Sequence, residues 1–232
     1  MMLRSRYFCV SAVICSALAT GVLHAQAPAQ PPSSLSPAKK VKQPAAPIDS
    51  EMDPGAVADG VYRNKALALT CKIPAGWVLR TDEMNARDEE KEKSDSAPAA
   101  GVSASGSGKV LLAAFSRPPL ASAEDINSSI VIAAEKLDTY PGLKEAAQYF
   151  GPLTEVAKAQ GFAVDEEPYE FAIGTRKLVR GDFHKDRGSR KMLQSSLVML
   201  ARGYIVSITV IGGTEDEVEE LIDGLSFTAG KK

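Results

Sequence analysis

The chain has 232 residues, 27 lysines and arginines against 29 aspartates and glutamates, a net charge of −2, and only three cysteines, two histidines and one tryptophan. A slightly acidic balance with no aromatics interleaved among the basic residues excludes a nucleic-acid-binding surface. So few cysteines and histidines leave little for zinc binding or nucleophilic catalysis.

Arg4 and Arg6 precede an apolar stretch from Tyr7 to about Leu23, and the small residues Ala25 and Ala27 follow. This is the layout of a secretory signal peptide, assigned to residues 1–25, and it makes the chain an exported one, periplasmic or extracellular. The apolar run is shorter than the roughly 20 residues that span a bilayer, and no later segment is a span. Export also removes Cys9, Cys15 and His24, so the mature chain keeps Cys71 and His184 and forms no internal disulfide. Residues 26–59 are rich in Pro, Ala and Lys without an apolar period, which predicts a disordered linker.

A single domain is expected over residues 60–232, large enough for one core. It opens with "NKALALTCKIPAGW". Leu67, Leu69, Cys71 and Ile73 alternate with smaller or polar residues, so Cys71 points to the same face as the leucines and should be buried and inert. Pro74 ends the strand, Gly76 permits a tight turn, and Trp77 swings back as a core anchor rather than a ligand-stacking ring. After it, residues 82–108 are charged at first and then rich in Ala, Ser and Gly. The first half of this insertion is able to begin as a helix, and the insertion as a whole is expected to be mobile.

Val110 to Ser116 and Ile126 to Glu135 read as strands. Leu143, Ala146, Ala147, Phe150, Leu153 and Ala157 then form one helical stripe, which Pro152 must kink or split. Tyr169 to Phe183, Met192 to Ala201 and Tyr204 to Ile211 follow as three strands whose short connections make neighbours antiparallel. The closing helix starts with a capping box, Thr214 and Glu217, and buries Val218, Leu221, Ile222 and Leu225. The expected class is α+β, an antiparallel β-sheet flanked by helices in an α-β-α sandwich.

In that order, "YRNKALALTCKIPAGW", "IVIAAEKL" and "RGYIVSITVIGGTEDEVEELIDGLSF" resemble the PsbP-like family, whose fold is shared by a Ran-binding nuclear import factor and by exported bacterial domains of the DcrB type. The resemblance covers Tyr62 to Phe227. It implies an antiparallel sheet between helices and a protein that acts mainly by binding partners; the long 82–108 insertion departs from the compact family pattern.

No catalytic constellation, cofactor motif or metal site is readable. His184 lies near a hairpin tip without a nucleophile elbow, and the acids after Gly212-Gly213 would repel a phosphate. One charge pattern stands out: Arg176, Lys177, Arg180, Lys185, Arg187, Arg190 and Lys191 fall in one hairpin, opposed there by Asp182 and Asp186. Two readings remain open, a ribbon that docks an envelope protein or an anionic surface, and a basic edge that only blocks sheet-to-sheet aggregation. The expectation is a noncatalytic exported binding or accessory module. The alternative is a small-ligand-binding protein or hydrolase with a cleft between the kinked helix and the sheet.

Overall fold

The computed structural model describes residues 52–92, 108–118 and 125–228. The signal peptide, most of the linker and the second half of the insertion lie outside these residues. The strands are β1 (Ala56–Ala58), β2 (Val61–Asn64), β3 (Leu69–Lys72), β4 (Val78–Leu79), β5 (Lys109–Phe115), β6 (Ser129–Lys136), β7 (Ala163–Val164), β8 (Tyr169–Ile173), β9 (Arg176–Arg187), β10 (Arg190–Ala201), β11 (Tyr204–Gly212) and β12 (Leu225–Phe227). The helices are α1 (Thr81–Glu92), α2 (Phe150–Ala159) and α3 (Glu215–Asp223).

Eight strands make the main antiparallel sheet, ordered β4-β5-β6-β11-β10-β9-β7, with β8 also paired to β9. Its centre is apolar on both faces, so both need cover. One face packs on α3 and on a smaller sheet, β1-β2-β3-β12. There Ile130, Ile132, Leu197, Ile208 and Val210 meet Leu67, Leu69, Cys71, Val218, Leu221 and Ile222. The other face is covered by α2 and the 3-10 turn before it at one end, through Tyr149, Phe150, Phe162 and Phe183. At the other end α1 lays Met84 against Val110, Ala113 and Val131. The α+β class is therefore the one expected, with a small second sheet sharing the layer of α3.

Several boundaries differ from the sequence reading. The folded part starts before Gly60. Met52 is buried in the core, β1 pairs with β2, and the Tyr62 hydroxyl donates to Pro54 O at 2.9 Å. Composition hid this because short, small residues joined to a polar tract show no apolar period. The first half of the insertion is the expected helix, α1, but it is held to the sheet by Asn85, whose amide donates to Val110 O (3.0 Å) and accepts from Val110 N (2.9 Å) at the bulge in β5. Tyr169 to Phe183 is two strands, because Gly174, at φ +59°, opens a two-residue turn between β8 and β9.

Pro152 splits its helix instead of kinking it. A 3-10 turn, Ala146–Tyr149, runs into α2, and Pro152 falls in the first turn of α2, where its missing N–H breaks no bond. Ala147 is exposed and Tyr149 takes the buried place expected of the stripe. At the closing helix the Thr214 hydroxyl accepts from Glu217 N at 3.2 Å, while the Glu217 carboxylate reaches Gly213 N (2.8 Å) and the Ser128 hydroxyl (2.5 Å).

The opening stretch folds as its residues dictate. Pro74 to Trp77 is a type II turn with Gly76 at φ +82° and Trp77 N bonded to Pro74 O, and Trp77 packs half-buried at the rim of the core. Cys71 has no exposure, and burial pushes its thiol up to about 12. Burial likewise raises the Tyr62 phenol to about 12, against a lowering by its Asn64 hydrogen bond. Both groups ionise first in the unfolded chain, so the stability tied to their neutral forms is complete below about pH 9 and is lost as pH climbs toward 12. Urea unfolding should give the same midpoint at pH 7 and 8 and a lower one at pH 11. In the same samples a thiol reagent at pH 8 should label Cys71 only as fast as the protein unfolds. Prompt labelling of native protein would contradict the burial.

Candidate functional site: the basic ribbon

Strands β9 and β10 form the longest ribbon of the molecule, in register from Arg190 opposite Arg187 to Val198 opposite Val179. β11 joins β10 only from Leu193 onward, so the end carrying Lys185 to Met192 projects past the next strand as a two-stranded tip. Gly188, at φ +65°, followed by Ser189 closes it in a two-residue turn. Side chains of opposed residues share a face. Arg187 and Arg190 therefore lie together, on the face that carries Phe183 and Lys185, and Lys191 lies with Asp186 on the other.

The seven basic residues do not form one surface. Arg176 and Lys177 stand at the far end of β9, roughly 35 Å along the strand from the tip at its ordinary rise. Arg176 covers the Phe227 ring, its guanidinium carbon 5.4 Å from the centroid, and Lys177 pairs with Glu170 at 3.5 Å in a fully solvated contact. Arg180, between the two ends, is 8% exposed and is no part of a docking surface. Its position on the strand explains this, since it is two residues from Leu178 and so points to the same apolar face.

Arg180 instead organises an internal network. Its Nε donates to Asp182 Oδ1 and Oδ2 at 2.9 and 3.0 Å, and its Nη2 donates to Ser195 Oγ at 3.1 Å and Glu219 Oε1 at 2.5 Å. Ser195 and Tyr169 both donate to Asp182, and the guanidinium lies 5.3 Å from the Phe171 ring centroid. Burial works against the charge, but hydrogen bonds to Glu219 and Asp182 outweigh it and hold the guanidinium above its ordinary pKa. Tyr169 is pushed up to about 12, by burial first and then by its bond to Asp182. The network joins β8, β9, β10 and α3, and it uses the Ser195 hydroxyl as a structural donor.

At the tip four cations remain. Lys185 lies along the Phe162 ring and donates to Gln160 O. Arg190 pairs with Asp125, from the loop before β6. The side chains of Arg187 and Lys191 are exposed and make no hydrogen bond or ion pair among the described residues. Asp125 is the residue that sequence reading missed, because a loop acid 65 positions away leaves no local signal.

His184 bonds Asp165 through Nδ1 at 2.5 Å, beside β7. Among the described residues no three His, Cys, Asp or Glu side chains are arranged to hold a metal ion, and no helix is long and apolar enough to cross a membrane.

No family model and no curated protein matches the chain. Solved structures do. The chain is similar to PsbP (CyanoP) from Synechocystis, with 16% identity over 79% of this chain and 100% of that one and a TM-score of 0.42. It is similar to the Saccharomyces cerevisiae Ran-binding protein Mog1p, with 11% identity over 69% and 80% and a TM-score of 0.35. LpqN, involved in cell envelope biogenesis of Mycobacterium tuberculosis, gives 11% identity over 69% and 83% and a TM-score of 0.34. The PsbP-like resemblance noted in the sequence is met again among these folds.

Proposed function

We propose that the protein is an exported, noncatalytic binding module that docks an anionic partner through the tip of the β9–β10 ribbon. The observation that carries this reading is the tip itself, where the Arg187 and Lys191 side chains are exposed without partners among the described residues, beside Lys185 and Arg190 on a hairpin that projects past β11. A basic edge that only prevents aggregation is the competing reading, since the tip leaves two strand edges unpaired beyond β11. Export rests on the leader pattern of residues 1–25. In the alternative reading, a cleft between helix and sheet, Phe150 occupies the contact of α2 with the sheet at Gly181.

The test is capture from the envelope of the source organism, with the purified protein as bait against a variant carrying Arg187, Arg190 and Lys191 all changed to Glu. Capture lost in the variant and at high salt is the expected result, since solvent-exposed charge pairs are screened. Equal capture by both proteins would remove the ribbon from the function.

A further inference from the structure

The turn sequence Arg187-Gly188-Ser189-Arg190 sets two guanidinium groups directly across a hairpin, with Cβ atoms about 5 Å apart on one face. Like charges so placed destabilise a ribbon unless an anion lies between them. The molecule supplies an anion to one of the pair. Asp125 binds Arg190, and its loop is delivered there by a third guanidinium, Arg117, which donates to Asp125 O and, at 3.5 Å, to Ile126 O. Asn127 fixes Arg117 in turn, accepting from its backbone N–H at 3.2 Å and donating to its carbonyl at 3.3 Å. The Arg190 and Asp125 side chains are 46% and 73% exposed, so solutes reach the contact. Hydrogen bonding to Arg190 holds the Asp125 carboxyl below its ordinary pKa, which keeps it charged.

We infer that Arg187 and Arg190 form an oxyanion clamp for the phosphodiester headgroups of an anionic lipid surface, and that Asp125 is the internal anion such a headgroup displaces. The inference rests on the docking role proposed above. A guanidinium presents paired donors that match phosphate oxygens, and one phosphate group bridges two guanidiniums, whereas the Asp125 carboxylate engages Arg190 alone.

Two features favour a lipid surface over a protein. Specific protein interfaces are anchored by aromatic residues as well as arginine and are depleted of lysine, yet the tip from Lys185 to Met192 has no aromatic residue and sets Lys185 and Lys191 beside its arginines. Basic groups also leave both faces of the ribbon, Lys185, Arg187 and Arg190 on one and Lys191, opposite Asp186, on the other. A headgroup layer contacts both faces of a tip that dips into it, while a protein surface meets one.

The experiment is co-sedimentation of the purified protein with phosphatidylcholine vesicles, with and without phosphatidylglycerol, at low and high salt. Binding is expected only to the anionic vesicles and should weaken with salt. Arg187→Gln should weaken it about fivefold, the effect of one basic residue near such a surface. Asp125→Asn should tighten it about tenfold, more than the roughly fivefold expected from charge alone. Asp186→Asn is the control, because it removes the same charge from the opposite face; it should tighten binding by no more than the charge effect. Equal gains from the two substitutions would overturn the clamp. No variant binding anionic vesicles, or polyglutamate competing as well as the vesicles, would overturn the lipid assignment and point to an acidic protein. Envelope capture that still depends on the ribbon charges in that case would leave the docking role standing, so the two failures are separable. Melting temperatures matched to the parent protein confirm that each variant is folded.

Discussion

Arg180→Ala is expected to lower the free energy of unfolding by about 3 kcal/mol, near the lower end of the range for breaking a buried ion pair. The substitution strips Asp182, itself 20% exposed, of its cation, leaving the Ser195 and Tyr169 hydroxyls as its donors. The estimate stays near the lower limit because Glu219, half in solvent, rehydrates when released. Arg180→Lys should recover little, since a single ammonium does not span acceptors on β9, β10 and α3 at once. Glu219→Gln, which keeps a neutral acceptor at the exposed corner, should cost no more than about 1 kcal/mol. Urea unfolding of the three variants checks the order. A midpoint for Arg180→Ala indistinguishable from the parent protein would mean that the network adds nothing to stability. Domains are stable by only about 5–15 kcal/mol, so the expected loss is a large share of the total.

Gly181→Ala is expected to cost about 2 kcal/mol, as overpacking in a filled core does. Alanine ordinarily stabilises a strand relative to glycine by roughly 0.5–1 kcal/mol, so the sign itself is informative. A Cβ at this position would sit 2.5 Å from Phe150 Cε1 and 2.9 Å from Cδ1. The ring has little room to withdraw, because Phe150 is 3% exposed and belongs to the buried cluster with Tyr149, Ala157 and Phe183. Trimming the ring tests the cause. Phe150→Leu combined with Gly181→Ala should be less destabilised than the sum of the single changes, a positive coupling between contacting sites. Strict additivity in thermal unfolding would show that the glycine is needed for some reason other than the ring above it.

The elements that were legible in the sequence are those whose side chains alternate or recur against a large core. β3, β5, β6, β10, β11 and α3 carry apolar runs or apolar periods, and the structure buries most of those residues. The elements that were not legible hold their places by single contacts. β1 is three exposed residues paired to β2, whereas α1, expected as a helix start from its charged residues, gave no sequence cue to its attachment through Met84 and Asn85. The same distinction applies to the candidate site. The local concentration of basic residues was visible as composition, but its division into a buried Arg180, a distant Arg176 and Lys177 and an exposed tip needed the strand period and the position of Glu219 on a later helix. Reading Arg180 two residues from Leu178 on one strand face would have flagged it as buried. No such local cue existed for Asp125.

The small sheet closes on the last strand of the described chain, with Leu225 opposite Cys71 and Phe227 opposite Leu69. Thr228 N then bonds Ala68 O, joining the end of that strand to the turn between β2 and β3. A ribosome delivers this protein from one end, so the opening hairpin waits through the synthesis of every intervening strand for its final neighbour. Until then Leu67, Leu69 and Cys71 have neither the Leu225 side chain nor the α3 face to cover them. Loop closure over that span is among the slow contacts in a chain's folding. The cover of the opening hairpin is therefore completed by α3 and β12, the elements made last among the described residues.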